Sequence, residues 1–301
     1  MRRLQLLSLA VIATLLLTAC APIIQESNVL TIYTTFPPIY TLTKLVVGDA
    51  KGYNVVCLTQ PQDECLRGYV LSDWDQTLLL RAADAVIAGG RGLEAFQEAL
   101  EEMSEKSFPL VEAMAGMELL SFDITDEDSH FSGDNPHAYL SVKGCKQLLT
   151  TIMGALCALY PKDRTTFETN VNTVLLKFDA VETQIDAIKD SVIGAPVALL
   201  NEAALYTADE LGLSVVCLIE RESGEMYTDA GFELLREELE KSGAKIALLE
   251  RQAPAALIEW LREDGIGVAL IDTVSTSTAL QSPTALYDAL LGNAQAIEDA
   301  L

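Results

Sequence analysis

Between residues 162 and 191 the apolar residues of this 301-residue chain recur at alternating spacings of four and three: Phe167, Val171, Val174, Phe178, Val181, Ile185 and Ile188. That spacing places all seven on one stripe of a 3.6-residue period, so the segment buries them only as a helix. At 1.5 Å per residue the helix is about 45 Å long, more than the width of a small domain. Pro161 opens it at a position that suits proline, and Gly194-Ala195-Pro196 ends it. A rod of this length must pack against more than one body.

On both sides of the rod, strand-like and helix-like runs alternate. Before it, Leu30–Thr35 is a β-branched strand ending at Phe36-Pro37-Pro38, Ile39–Val47 is a helix stopped by Gly48, and Tyr53–Leu58 is a second strand. Ser72 caps a helix to Ala82 with Asp75 in the capping-acid place, and Ala85–Ala88 is a buried-type strand. Residues 121–136 are acidic and without period, which marks a loop; Ser141 then caps a helix to about Leu159. After the rod come strands at Val197–Leu200, Val215–Ile219, Ile246–Leu249 and Val268–Ile271, separated by helices stopped at Gly212 and Gly243, with a closing helix from Pro283 to Leu301. The fold class is therefore α/β: two Rossmann-like lobes with mainly parallel sheets, joined by one long rigid backbone helix. The boundaries expected are 29–160 for the first lobe, 161–193 for the linking helix and 194–301 for the second lobe.

The first residues carry a different signal. Arg2 and Arg3 precede the apolar run Leu4–Leu17, the length of a signal-peptide core and short of the roughly 20 residues a membrane span needs. Leu17-Thr18-Ala19-Cys20 then resembles the lipobox of bacterial lipoproteins. Residues 1–19 are expected to be a signal peptide, Cys20 the lipid attachment site, and 20–28 a tether. This puts the chain outside the cell, lipid-anchored to the cell membrane, with the anchor as its only membrane contact. No later stretch is long and apolar enough to cross a bilayer. Export is disulfide-permissive, and Cys57 and Cys65 close a short loop that a disulfide would fit. Cys145, Cys157 and Cys217 read as small core residues, and none has Cys-x-x-Cys spacing.

The formal net charge is −24, and −26 once residues 1–19, which hold Arg2 and Arg3 and no acid, are removed. Such a surface repels nucleic acid and anionic headgroups, which argues against both as partners. There is no Gly-x-Ser-x-Gly elbow, no His-Glu-x-x-His and only two histidines, so an exported hydrolase has no support. Ligands of open α/β sheets bind beyond the carboxyl ends of strands. Those ends here run into Asn201-Glu202, Glu250-Arg251-Gln252 and Asp272, to which His137 adds an imidazole beside the acidic loop.

In this order the segments resemble the zinc- and manganese-binding solute receptors of metal ABC transporters, the zinc-uptake complex component A family. Thr34-Thr-Phe-Pro-Pro-Ile-Tyr40 is similar to the family's first strand and turn, and Ala83–Glu94 to its "AD…NGLGLE" segment. Asn135-Pro-His-Ala-Tyr-Leu140 resembles "DPHxWL", Asn201–Leu213 "HDAFGYFAxxYGL", Leu249–Gln252 "EPQ", and Tyr287–Leu301 the closing helix. The resemblance implies a non-enzymatic receptor that holds Zn or Mn between its lobes and delivers it, as a monomer, to an ABC permease. It implies four metal ligands, of which His137 matches the second and Asp272 the fourth. The first ligand position falls on Arg67 and the third on Asn201, where the pattern has departed.

An arginine about 4 Å from a divalent cation adds repulsion of about 8 kcal/mol at an effective dielectric near 20, and it cannot deprotonate away. Arg67 must swing aside, or it pairs with Asp272 or Glu202 and plugs the site. Glu202, with Asn201, Cys65 or His130, is the candidate substitute that would complete a set around His137 and Asp272. The alternative function is a family member whose site is repurposed for a non-metal ligand or for a protein partner. The acidic loop 123–134 is similar to a short remnant of the family's metal-gathering loop, with His130 its one histidine.

Overall fold

The computed structural model describes residues 29–59, 69–122, 133–219, 229–275, 280 and 282–301. The signal peptide, Cys20, Cys65, Arg67, His130 and residues 123–132 of the acidic loop lie outside the described residues, and so do the two alternatives for Arg67 and the Cys57–Cys65 bridge. Among the described residues no helix is long and apolar enough to cross a membrane.

The first sheet contains β1 (Leu30–Thr34), β2 (Tyr53–Cys57), β3 (Ala85–Ala88) and β4 (Leu110–Glu112), ordered β2-β1-β3-β4 and parallel throughout. Helices α1 (Pro37–Val47), α2 (Asp73–Ala82) and α3 (Gln97–Ser104) make the crossovers. Ser72 caps α2 by accepting from the Asp75 N–H, while the Asp75 carboxylate accepts from the Ser72 N–H, the reciprocal box that the sequence predicts. The loop expected at 121–136 carries a small antiparallel pair, β5 (Ser121–Phe122) with β6 (Gly133–Asp134). Two-residue strands are too short to show a period.

Helix α4 (Val142–Leu159) follows, then a 3₁₀ turn over Pro161–Asp163 that feeds α5 (Arg164–Val192). Beyond α5 lie β7 (Pro196–Leu199), α6 (Leu205–Glu210), β8 (Ser214–Leu218), α7 (Asp229–Ser242), β9 (Ile246–Glu250), α8 (Ala255–Glu263), β10 (Gly267–Ile271) and α9 (Ala285–Ala300). The second sheet is ordered β10-β9-β7-β8, again wholly parallel. In each sheet the strand order reverses beside the lobe's first strand, between β1 and β3 and between β7 and β9. A crevice opens at such a reversal, beyond the carboxyl ends of the strands.

All seven stripe residues of α5 are buried, and Val192 extends the stripe by one. Near its start Phe167 meets Tyr53 edge-on at 5.5 Å between ring centroids, and further along Phe178 meets Tyr287 of α9 at 4.6 Å. One continuous apolar cluster therefore runs from Ile32 and Ile39, through α5, to Leu199, Ile271 and Tyr287. The rod is part of the core of both lobes. Bending it would open that core to water.

Candidate functional site

The crevice of the first lobe is closed by a carboxylate. Glu94, 3% exposed, accepts from the Thr35 hydroxyl at 2.6 Å, the Gly89 N–H at 2.7 Å and the Gly90 N–H at 2.9 Å. Burial pushes its pKa up, and these three donors pull it back toward the ionised form. The second lobe repeats the device: Asn201, just after β7, donates from Nδ2 to Glu250 Oε1 at the end of β9. Burial again raises the Glu250 pKa, with Asn201 opposing it. The sequence placed Glu94 in a motif without a role and Glu250 at a candidate strand end, and the burial of both depends on neighbouring strands.

His137 sits on the segment between β6 and α4. Asn135, 2% exposed, is oriented by two bonds that leave no choice of amide flip. Its Nδ2 donates to the Glu202 carbonyl at 2.8 Å, and its Oδ1 accepts from the His137 N–H at 3.0 Å. The same Oδ1 lies 2.9 Å from His137 Nδ1, so that nitrogen must carry the proton. In neutral His137 the lone pair is then on Nε2, the form in which imidazole binds a metal. Asn135 was legible only as a motif letter, and its bond to Glu202 spans the two lobes.

Glu202 opens a 3₁₀ turn capped by Asn201, whose Oδ1 accepts from the Ala203 N–H at 2.7 Å. Its side chain is 10% exposed, with Oε1 3.8 Å from His137 Nδ1: a charge contact when the imidazole is protonated, and too long for a hydrogen bond. His137 and Glu202 thus come together from opposite lobes. Asn201 uses both ends of its amide locally, on Ala203 and Glu250, rather than offering its oxygen outward.

Asp272 follows β10 and is held differently. Its Oδ1 accepts from the Val274 N–H at 2.8 Å, while Oδ2 pairs with Arg251 Nη1 at 2.8 Å. Asn293 of α9 clamps its backbone in both directions, accepting from its N–H at 2.7 Å and donating to its carbonyl at 3.1 Å. Among the described residues the arginine on this carboxylate is Arg251 of the same lobe, while Arg67 lies outside them. Among the described residues no three His, Cys, Asp or Glu side chains are grouped to hold a metal ion. His137, Glu202 and Asp272, expected together, are present here as one interlobe pair and one separately neutralised carboxylate.

Helix α6 stitches the lobes beside this pair. The Tyr206 hydroxyl donates to the Asn135 carbonyl at 2.9 Å and accepts from the Leu120 N–H at 3.0 Å. Thr207 donates to the Leu140 carbonyl at 3.2 Å, and Glu210 Oε1 accepts from the Val142 N–H at 2.8 Å, at the amino end of α4. At Gly144 a Cβ would lie 1.8 Å from the Ala138 carbonyl oxygen, so the turn carrying His137 into α4 requires glycine there.

Glu210 borders a crevice of about 270 Å³ that also holds Glu182, Asp186, Lys189, Lys143 and Asp209. Burial first, then the charges of Glu182 and Asp186, push its pKa up to about 7 against the pull of the Val142 N–H and Lys189. An unfolded glutamate releases its proton near 4.5. Between those values the native state binds more protons, so stability is lost as pH rises through the window. Glu210→Gln keeps an acceptor for Val142 and removes the titration. Urea unfolding should show the variant matching the parent at pH 4.5 and exceeding it at pH 8 by about 2–3 kcal/mol.

Two parallel-sheet lobes on a shared helical rod, with polar side chains facing across their junction, define a two-lobed binding-protein architecture. The family model described as ZnuA, zinc-uptake complex component A, periplasmic, matches residues 32–300, and the chain belongs to that family. The zinc-binding lipoprotein AdcA of Streptococcus pneumoniae serotype 4 is 24% identical over 289 residues, which cover 92% of this chain and 56% of AdcA. The chain thus spans about half the length of the curated relatives it matches.

Among solved structures, the solute-binding protein FpvC of Pseudomonas aeruginosa in complex with Mn²⁺ superposes with a TM-score of 0.76 at 22% identity, covering 90% of this chain and 98% of FpvC. The Zn(II)-bound ZnuA-like domain of S. pneumoniae AdcA does so with a TM-score of 0.74 at 22% identity, covering 89% and 99%. At these identities the structural likeness shows the fold.

Proposed function

We propose that the chain is the extracytoplasmic solute-binding subunit of an ABC-type metal-uptake system, anchored through a lipid on Cys20. It captures zinc or manganese between its lobes, as a monomer, and delivers the ion to a membrane permease. The reading is supported by the family membership, and by AdcA and FpvC, whose names and structures carry zinc and manganese. The observation that carries it is the Asn135 clamp. One amide sets the His137 tautomer, and it draws the Glu202 carbonyl of the opposite lobe to the same place.

An imidazole nitrogen and a carboxylate oxygen suit zinc, and manganese through its carboxylate preference. His137 and Glu202 are assigned to these donors, and Asp272, paired with Arg251 in this structure, is assigned as a further carboxylate donor from the end of β10. Such a role needs no chemistry on the cargo, so the chain is not an enzyme. The lobes, 29–160 and 194–301 about the helix 161–193, act as walls of the site rather than as a hinge.

Isothermal titration of the chain from residue 29 onward with Zn²⁺ and with Mn²⁺ tests this. One cation should bind per chain with at least one of the two metals, and raise the melting temperature by mass action. A flat trace with both metals, together with an unshifted melting temperature, overturns the reading.

A further inference from the structure

The Arg251–Asp272 pair assigns Arg251 a function. We infer that Arg251 is an internal competitor for the cation: it occupies Asp272 while the site is empty, and cargo enters by displacing it. This rests on the metal-capture reading and concerns the regulation of that same site.

Only one atom of Asp272 has an exchangeable partner. Its backbone is clamped from both sides by Asn293, and Oδ1 is committed to the Val274 N–H. Val274 has φ 57, a left-handed conformation costly for a β-branched residue, so this short turn is held in place by the Asp272 bond. Oδ2 remains, and Arg251 holds it at 2.8 Å. The Asp272 side chain is 23% exposed and that of Arg251 is 55% exposed, so the arginine has solvent to swing into while the carboxylate stays.

Register brings the two side chains within reach of each other. Ile271 pairs with Glu250 in the sheet and the Arg251 N–H donates to the Ile271 carbonyl, so residues 251 and 272 leave adjacent strand ends side by side. The guanidinium N–H and a cation compete for the same Oδ2, which cannot hold both at once. The consequence is a weakened, more readily surrendered cation, which suits a protein that must hand its cargo on.

The test is zinc titration of the parent chain, Arg251→Gln and Arg251→Lys, with melting temperatures recorded for all three. Arg251→Gln should bind zinc about tenfold more tightly than the parent, since a nearby positive charge facing a dication across partly wet space is removed. Its gain should shrink as salt is raised, and Arg251→Lys, which keeps the charge, should stay close to the parent. Equal or weaker binding by Arg251→Gln overturns the inference and leaves metal capture standing. Absence of binding by all three folded proteins overturns metal capture, and this inference with it.

Discussion

Phe178→Ala is expected to destabilise the protein by about 3–5 kcal/mol, the range for removing a buried aromatic ring from a packed core. Phe178 is fully buried on α5, and its ring lies 4.6 Å from that of Tyr287 on α9. Removing it leaves a cavity between the rod and the closing helix, which cannot collapse without moving α5 away from the first lobe as well. For a chain of this size the melting temperature should fall by about 6–15 °C. Because one apolar cluster links both lobes, a single cooperative transition should persist, shifted downward, by calorimetry and circular dichroism. Two separated transitions, or a shift under 2 °C, would show that the lobes are stabilised independently of the rod. Leu176→Ala is the internal control: it lies on the same helix but is 70% exposed, and should change stability by less than about 0.5 kcal/mol.

His137→Ala should weaken zinc binding by about 100-fold or more while leaving the fold intact. Groups that merely orient a metal ligand are worth about 10–100-fold, so loss of the ligating imidazole itself lies at or beyond that range. His137 is outside the apolar clusters, and the segment around it stays held by Tyr206, Thr207 and the Ser141 cap of α4. Competition against a zinc-sensitive dye would read the affinity, and thermal melting the fold. A loss below tenfold in a protein that melts normally would remove His137 from the ligand set.

The comparison with Arg251→Gln is informative, because the two changes should move affinity in opposite directions. One removes a donor from the cation; the other removes a competitor.

Much of the architecture was legible from residue patterns. The stripe on α5 predicted both its helix and its buried face, since a period of 3.6 is a local property that no tertiary context needed to supply. Ser72 with Asp75, and Ser141, predicted helix starts through bonds made within three residues. The strands around which both sheets form were visible as apolar runs. β4 and α3 were missed, the strand because Leu110–Glu112 is too short for any alternation to register.

The site was legible only in part. His137 and Glu202 were named from motif positions, and they do meet, but the residue that joins them is Asn135, through a bond 67 residues away in the chain. The pairing expected of Arg67 with Asp272 or Glu202 falls outside the described residues. Within them Asp272 is paired with Arg251, brought alongside by the register of Ile271 with Glu250.

By itself the sequence determined most of the elements, their order and the buried face of α5, because backbone hydrogen bonds and side-chain periods act over a few residues. Which carboxylate is neutralised by which cation was decided by the tertiary structure alone. Charges interact through space rather than along the chain, and sheet register sets the distances over which they do so.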